Sequence, residues 1–281
     1  METLNEAIMN RISIRSYIDK PIAKVQKKQI QRFLNSNPTG PFGNSVRFRL
    51  VDVDELSTLE MYKLATYGVI NGARLYIMGT VRPARYSLED FGYCMENVIL
   101  KATKLGFGTC WVTSNFTRDT FGQKNSSCGG EIVPCISPLG YFQHKRSLSI
   151  QIMKLIANSR ERRQWGELFF QGSFDVPLEK EFAGDYQVPL EAVRVGPSAS
   201  NREPWRVVME KTASVFHFYL NRCPALCQEQ GPYNAENVDI GIAMCHFELS
   251  AGELGFTGSW KHLGRNGCMP GTEYIISWIA D

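Results

Sequence analysis

The sequence predicts an α+β protein built from two diverged copies of one helix-and-strand unit, carried in a single chain of 281 residues. Three observations lead there. Phe91–Trp111 aligns without a gap on Ile240–Trp260, and the two windows share eight residues. Gly92, Met95, Leu100, Ala102, the run Leu105-Gly106-Phe107 and Trp111 recur as Gly241, Met244, Leu249, Ala251, Leu254-Gly255-Phe256 and Trp260. Ordinary composition yields about one or two identities over such a stretch. Next, strands and helices follow one order in both halves. Last, the segment Arg11–Tyr17 opens the first half as Ser159–Trp165 opens the second, and each half closes on a short apolar strand. Helix–strand junctions of the Leu-Gly-Phe kind resemble one another, so the aligned window alone does not decide the matter.

The elements follow in order. Thr3 with Glu6 has capping-box spacing and predicts the first helix start. A second helix is expected from about Lys24 to Leu34, ended by Asn35-Ser36-Asn37-Pro38. Alternation at Val46, Phe48 and Leu50 predicts a strand, as does Arg74–Val81. Leu88, Phe91, Met95, Val98, Ala102 and Leu105 form one helical stripe, stopped by Gly106. Phe107–Val112 reads as a short strand, and Ile136–Phe142 closes the half. In the second half, Arg206–Lys211 and Val215–Leu220 read as strands. Ile240, Met244, Phe247, Ala251 and Leu254 form a stripe ended by Gly255, and Tyr274–Ile279 is the closing strand.

The polar, Gly-rich stretch from Asn115 to Pro134 has no counterpart and predicts a surface excursion. The boundary is expected near 150–160, giving halves of residues 1–152 and 153–281. Ile150–Ala157 reads as helical rather than as a Pro/Gly linker, so packed halves are expected.

Bulk composition narrows the function. A net charge of +3 without a Lys/Arg block gives no reason to expect nucleic acid. No apolar run approaches a membrane span. Met1-Glu2-Thr3 leads into an amphipathic pattern without a basic n-region or apolar core, which predicts no secretory signal and a cytoplasmic location. The eight cysteines stand singly and read as buried, reduced thiols. Cys223, Cys227 and His246 lack the paired close spacing of a structural zinc module, so no metal site is assigned.

Two clusters carry the chemistry. Arg11, Ser13 and Arg15 stand at alternate positions, and an extended segment would project them to one side. Such a set suits phosphate or an electron-rich ring, because each guanidinium offers a fork of donors that stays charged. Alone, the segment fits a solvated basic strand better. The second cluster is Pro197-Ser198-Ala199-Ser200-Asn201, followed by Arg202-Glu203-Pro204-Trp205, whose hydroxyls and amide can grip a polar ligand. Alone, it is an ordinary loop.

Together these pieces resemble the nitroreductase family of FMN flavoproteins, in its fused subgroup with two nitroreductase-like halves in one chain. The matching motifs are Arg11–Tyr17, Gly92–Val112, Pro197–Asn201 and Asp239-Ile240-Gly241-Ile242-Ala243, in the right order over nearly the whole chain. The resemblance implies the FMN-dependent nitroreductase fold, with the duplication making a pseudo-dimer, so that one chain can act as a monomer. It implies that Arg11, Ser13 and Arg15 contact the phosphate and flavin edge, and that Pro197, Ser198, Ala199, Ser200 and Asn201 cover the ring from the other half. Val112, Thr113 and Ser114 would bring backbone groups to its reactive side. The family has glycines in that stretch, a departure here that weakens the expectation for Thr113 and Ser114. Lys145 and Arg146 would complete the phosphate grip, although they read equally as an exposed basic turn.

The second pseudo-site has diverged. It presents Ser159 and Glu161 where the first has Arg11 and Ser13, and Pro38-Thr39-Gly40-Pro41-Phe42-Gly43-Asn44 lacks the paired serines. A carboxylate near a phosphate is unfavourable, so one FMN per chain is expected.

The resemblance implies an oxidoreductase using NADH or NADPH as donor, with a small acceptor such as a nitroaromatic or quinone reduced in a ping-pong cycle. No side chain is assigned as a catalytic nucleophile or acid, since the cofactor carries the chemistry. No Gly-x-Gly-x-x-Gly loop follows a strand, so no Rossmann domain is expected. A different flavin reaction, such as dehalogenation or ring fragmentation, stays open. So does a non-catalytic FMN-binding protein acting as store or sensor. Phe42, Phe116 and Trp165 could line an acceptor pocket, though core packing explains such residues more often.

Overall fold

The computed structural model describes residues 2–36, 38–55, 69–113, 130–143, 161–212, 214–222, 234–264 and 269–281. Ser114, Phe116, Lys145, Arg146, the 150–157 segment, Cys223 and Cys227 lie outside the described residues.

Helix α1 (Leu4–Asn10) starts in the expected capping box, in which Thr3 Oγ1 accepts from Glu6 N–H and the Glu6 carboxylate accepts from Thr3 N–H. Helix α2 (Lys24–Leu34) buries Ile30 and Leu34. Strand β1 (Val46–Asp52) pairs antiparallel with β2 (Leu75–Val81), which is buried along its whole length. Helix α3 (Ser87–Lys104) covers one face of this sheet. On the other face Tyr17, Val51 and Val133 pack against Tyr76 and Met78. Strands β3 (Gly108–Thr109) and β4 (Ile136–Gly140) complete the order β1-β2-β4-β3. The strand expected over 107–112 is shorter than its pattern. Cys110 donates its N–H to the Ser137 side chain, which interrupts the ladder until Val112 bridges Ile136.

The C-terminal part adds α4 (Trp165–Leu168), edge strand β5 (Phe169–Gln171), α5 (Lys180–Ala183) and α6 (Gln187–Arg194). It continues with β6 (Trp205–Met209), β7 (Val215–Asn221), α7 (Ala235–Glu253), β8 (Gly258–Lys261) and β9 (Thr272–Ala280). Its sheet runs β5-β6-β7-β9-β8, with β5 parallel to β6 and the other pairs antiparallel. Without β5, this order matches the first sheet strand for strand. Gly106 and Gly255 follow their helices with φ of 79° and 86°, a left-handed stop that an unbranched backbone adopts without strain.

The sheets are joined through α3 and α7. A Cβ added at Gly92 would overlap the Val238 carbonyl, and one added at Gly241 would overlap the Glu89 carbonyl. Gly92 and Gly241 stand 149 positions apart, and so do Glu89 and Val238. The contact is therefore reciprocal, as an isologous interface requires. The two cores also trade residues. Val238 and Ile242 of α7 join the first core, while Phe42 and Tyr93 pack against the second. Helix α7 is consequently buried around most of its girth, with its own sheet on one side and α3 on the other.

Among the described residues, no helix is long and apolar enough to cross a membrane.

Candidate functional site

The N-terminal basic segment becomes one wall of a seam. Arg11 caps α1 through its N–H to the Ala7 carbonyl at 2.9 Å. The chain then runs extended beside β3: Ser13 bridges Thr109, and Ile14 N–H donates to Thr109 O at 2.8 Å. Extended backbone turns alternate side chains to one side. Arg11 points inward and is buried, whereas Ile12 is exposed. Arg11, Ser13 and Arg15 converge on the Cys110 thiol, which burial pushes up despite the two cations and the Ser13 hydrogen bond.

Arg11 Nε and Nη1 and Arg15 Nη1 are buried without a hydrogen-bond partner. A buried donor left unmade costs about 1–3 kcal/mol, more for a charged group. Arg11 Nε also lies 3.7 Å from Glu96 Oε1, beyond hydrogen-bond reach. Donors of this geometry are complementary to a phosphate or carboxylate.

The second wall is the loop after α6. Ser200, Asn201 and Glu203 have φ of 53°, 54° and 51°, three left-handed non-glycine residues within four positions. Each such residue costs on the order of 1 kcal/mol and persists only where its surroundings enforce it. Here the enforcement is explicit. Ala199 N–H donates to both Asp239 oxygens, at 3.0 and 3.1 Å, and Glu203 N–H donates to Ser198 Oγ at 2.9 Å. Asn201 Nδ2 donates to the Glu161 carbonyl at 2.9 Å, and Arg162 Nη1 donates to Asn201 Oδ1 at 2.9 Å. The buried Glu203 carboxylate accepts Arg163 N–H. Burial pushes the Asp239 carboxyl well up, only partly offset by the Ala199 N–H.

The walls meet. Ile8 of α1 packs with Leu100 and Ala192, with Val195 alongside. Arg162 Nη2 donates to the Val195 carbonyl at 3.1 Å, and burial, joined by the nearby Arg11 charge, lowers the Arg162 guanidinium. The structure thus brings Arg11 to the seam that the 195–203 loop borders, leaves Ser13 and Arg15 on the same segment beside β3 and Cys110, and adds Arg162. Sequence reasoning does not single out Arg162, because the Ser159–Trp165 segment reads as part of a separate, diverged site. Its signal was the basic run Arg160, Arg162, Arg163.

Other expected residues sit differently. Val112 gives its N–H to Ile136 O and accepts Ile136 N–H, so that N–H is committed within the sheet and not offered to a ligand. Thr113 is half-buried beyond it. Ser198 and Asn201 have polar atoms engaged within their own loop and the 161–162 segment, while Pro197 is buried. Trp165 donates Nε1–H to Leu178 O and meets Phe169 edge-on, a packing role. Phe42 stacks on Tyr86 with centroids 4.3 Å apart.

The loop corresponding to 195–203 is also held by an aspartate. Asp90 accepts the N–H groups of Phe42 and Asn44 at 2.9 and 2.7 Å. Asp90 and Asp239 again differ by 149 positions, just outside the aligned window. The Glu161–Arg163 segment does not run along β8 as Arg11–Arg15 runs along β3. It lies against the 195–203 loop instead.

The sequence model of the family described as "Putative TM nitroreductase" matches residues 3–251. The chain belongs to that family. A solved structure of a "putative nitroreductase" from Thermotoga maritima is 20% identical, with a TM-score of 0.62 over 99% of this chain and 93% of that one. At that identity the likeness establishes the fold. A nitroreductase family protein from Clostridium novyi is 20% identical and covers 50% of this chain and 86% of its own, with a TM-score of 0.41. A nitroreductase with bound FMN from Bacteroides fragilis is 19% identical and covers 53% of this chain and 96% of its own, with a TM-score of 0.37. No curated protein matches. In this nitroreductase-family chain, the described residues contain no group of three or more His, Cys, Asp or Glu able to hold a metal.

Proposed function

We propose that this nitroreductase-family chain is a flavin-dependent oxidoreductase. It holds one FMN at the seam between two diverged copies of its unit, residues 1–152 and 153–281, and works as a pseudo-dimer in a monomer. The observation that carries the reading is the set of donors on Arg11 and Arg15 that are buried without a hydrogen-bond partner, which calls for an anion beside them. The reciprocal Gly92/Gly241 crossing, the matching strand orders and the Asp90/Asp239 pair support the duplication.

FMN, when bound, supplies two-electron transfer between a nicotinamide donor and a small acceptor in a ping-pong cycle. The residues of this chain do the rest. Arg11 and Arg15 would hold the phosphate, with Ser13 beside them and Lys145 and Arg146 as further cations. Arg162 fixes the 195–203 loop through Val195 and Asn201, closing the second wall. The buried setting of Arg11 strengthens its attraction for an anion, because competing water is excluded there. Ser159 in the Arg11 position, and Glu161 in that of Ser13, leave the second pseudo-site without a cation in the Arg11 role.

The test is reconstitution with FMN, quantitative flavin extraction, and anaerobic mixing with NADH and then NADPH. One FMN per chain, bleached on a turnover timescale by either nucleotide, is expected. A protein that stays colourless sinks the flavin reading, and two flavins per chain sink the single site. Bound flavin that no nicotinamide reduces would favour a store or sensor instead.

A further inference from the structure

Behind Arg11 lies a carboxylate–imidazole pair with no part in the chemistry above. Glu96 on α3 and His246 on α7 are fully buried, with Oε1 and Nε2 2.9 Å apart. His246 Nδ1 lies 2.7 Å from the Ala192 carbonyl. A carbonyl oxygen only accepts, so Nδ1 carries a hydrogen. The Nε2–Oε1 contact then needs one more proton. Either an imidazolium donates to a carboxylate, or a carboxylic acid donates to a neutral ring.

The surroundings of Glu96 select the first arrangement. Trp111 Nε1–H donates to Oε2 at 2.7 Å, and the Arg11 guanidinium stands 3.7 Å from Oε1. Burial pushes the Glu96 carboxyl up. Its carboxyl nevertheless lies below the usual carboxylate range, and apart from His246 itself the Arg11 charge and the Trp111 N–H both pull it down. The neighbouring Cys245 thiol is itself pushed well up by burial and stays uncharged.

The pair spans the seam. At one end it faces Arg11. At the other it holds Ala192 on α6, one turn before the Val195 carbonyl that Arg162 grips. We infer that Glu96 and His246 are positioning residues for the anion site: the carboxylate orients Arg11, and the imidazolium ties the opposite wall to it through Ala192. The inference rests on Arg11 being an anion ligand, as proposed above.

The charge count gives it a sign. An ionised pair is neutral overall, so Glu96→Gln removes one negative charge and lets the imidazolium lose its proton. The net charge behind Arg11 is then unchanged, and only its orientation suffers. Were Glu96 instead a carboxylic acid beside a neutral ring, the amide of the same substitution would replace it with charge and contacts nearly kept, and anion binding would stay unchanged.

The experiment uses the folded full-length chain as wild type, Glu96→Gln, Arg11→Ala and the double variant, each titrated separately with FMN and with inorganic phosphate. Nitrogen NMR of labelled histidine is read alongside. Wild type should show both His246 ring nitrogens protonated, and Glu96→Gln only one. Glu96→Gln should weaken both anions about tenfold, the usual scale for losing a supporting contact behind a ligand. In the Arg11→Ala background it should have no further effect. A neutral His246 in the wild type, tighter or unchanged binding by Glu96→Gln, or an equal loss in the Arg11→Ala background would each overturn the inference. FMN binding by wild type with Glu96→Gln unaffected overturns this inference alone. Phosphate binding without FMN binding overturns the flavin reading and leaves the phosphate titration to judge the pair. Binding of neither anion overturns both.

Discussion

The loops 38–44 and 195–203 lead into the corresponding strands β1 and β6, and an aspartate on α3 or α7 holds each of them, yet they are built by opposite means. The first turns on Gly43, whose φ of 89° suits a residue without a Cβ, and its N–H closes the turn onto Gly40 O. The second forces Ser200, Asn201 and Glu203 into the same left-handed region. Around the first, the side chains settle into packing, as Phe42 does on Tyr86 and the second core. Around the second stand Arg162, Arg163 and, across the seam, Arg11. Three left-handed non-glycine residues thus sit in the loop around which these arginines gather, whereas the first loop turns on a glycine.

The largest expected effect separates the two basic segments. Arg11→Ala should weaken FMN binding at least about a hundredfold, since it removes a buried charged donor set. Arg163→Ala, on the counterpart segment with its side chain 44% exposed, should change it less than about threefold. Fluorescence titration checks both, and equal losses would erase the asymmetry.

The crossing of α3 and α7 should instead behave symmetrically. Gly92→Ala and Gly241→Ala each press a Cβ into a carbonyl across the interface. Each should destabilise by about 2–3 kcal/mol, at the upper end of overpacking costs. Urea unfolding would show it, and a large effect at only one glycine would argue against a reciprocal contact.

The partners of those glycines differ, and pH exposes the difference. Burial pushes Glu89 up to about 7 from 4.5, partly offset by the Asn237 hydrogen bond. The native state therefore holds a proton that the unfolded state has released between those values. Glu89 contributes stability below about pH 4.5 that is lost as pH rises through about 7. The swing is on the order of 3 kcal/mol. Val238 titrates nothing. Glu89→Gln should flatten the fall in stability between pH 4.5 and 7, and an unchanged slope would remove Glu89 from the account.

The smallest effects return to the loops with opposite signs. Ser200→Gly should stabilise by about 0.5–1 kcal/mol by relieving a left-handed serine. Gly43→Ala should destabilise by about 1–2 kcal/mol, although its Cβ would meet nothing, because only the backbone angle resists. Thermal unfolding of both resolves the pair.

Much of this was legible along the chain. The stripes ending at Gly106 and Gly255, the capping box at Thr3 and the apolar strands are local patterns, and local patterns survive in a sequence. The short α4, α5 and α6 were not legible, since four to eight residues give too few turns to establish a helical period. Asp90 and Asp239 fell one position outside the alignment, and a longer window would have caught them. Arg162 was readable only as a basic residue, because its partners Val195 and Asn201 are more than thirty positions away.

The sequence by itself carried the pattern of a repeated helix-and-strand unit, its longer helices and strands, and which residue types could meet an anion. It also determined the family, through motifs kept in order over most of the chain. Only the tertiary structure decided which groups are buried without partners, that the second basic segment crosses to the 195–203 loop, and that Glu96 faces His246. Those facts depend on burial and on contacts between α1, α3, α6 and α7. Desolvation and proton sharing are properties of neighbours in space, and no spacing along a chain encodes them.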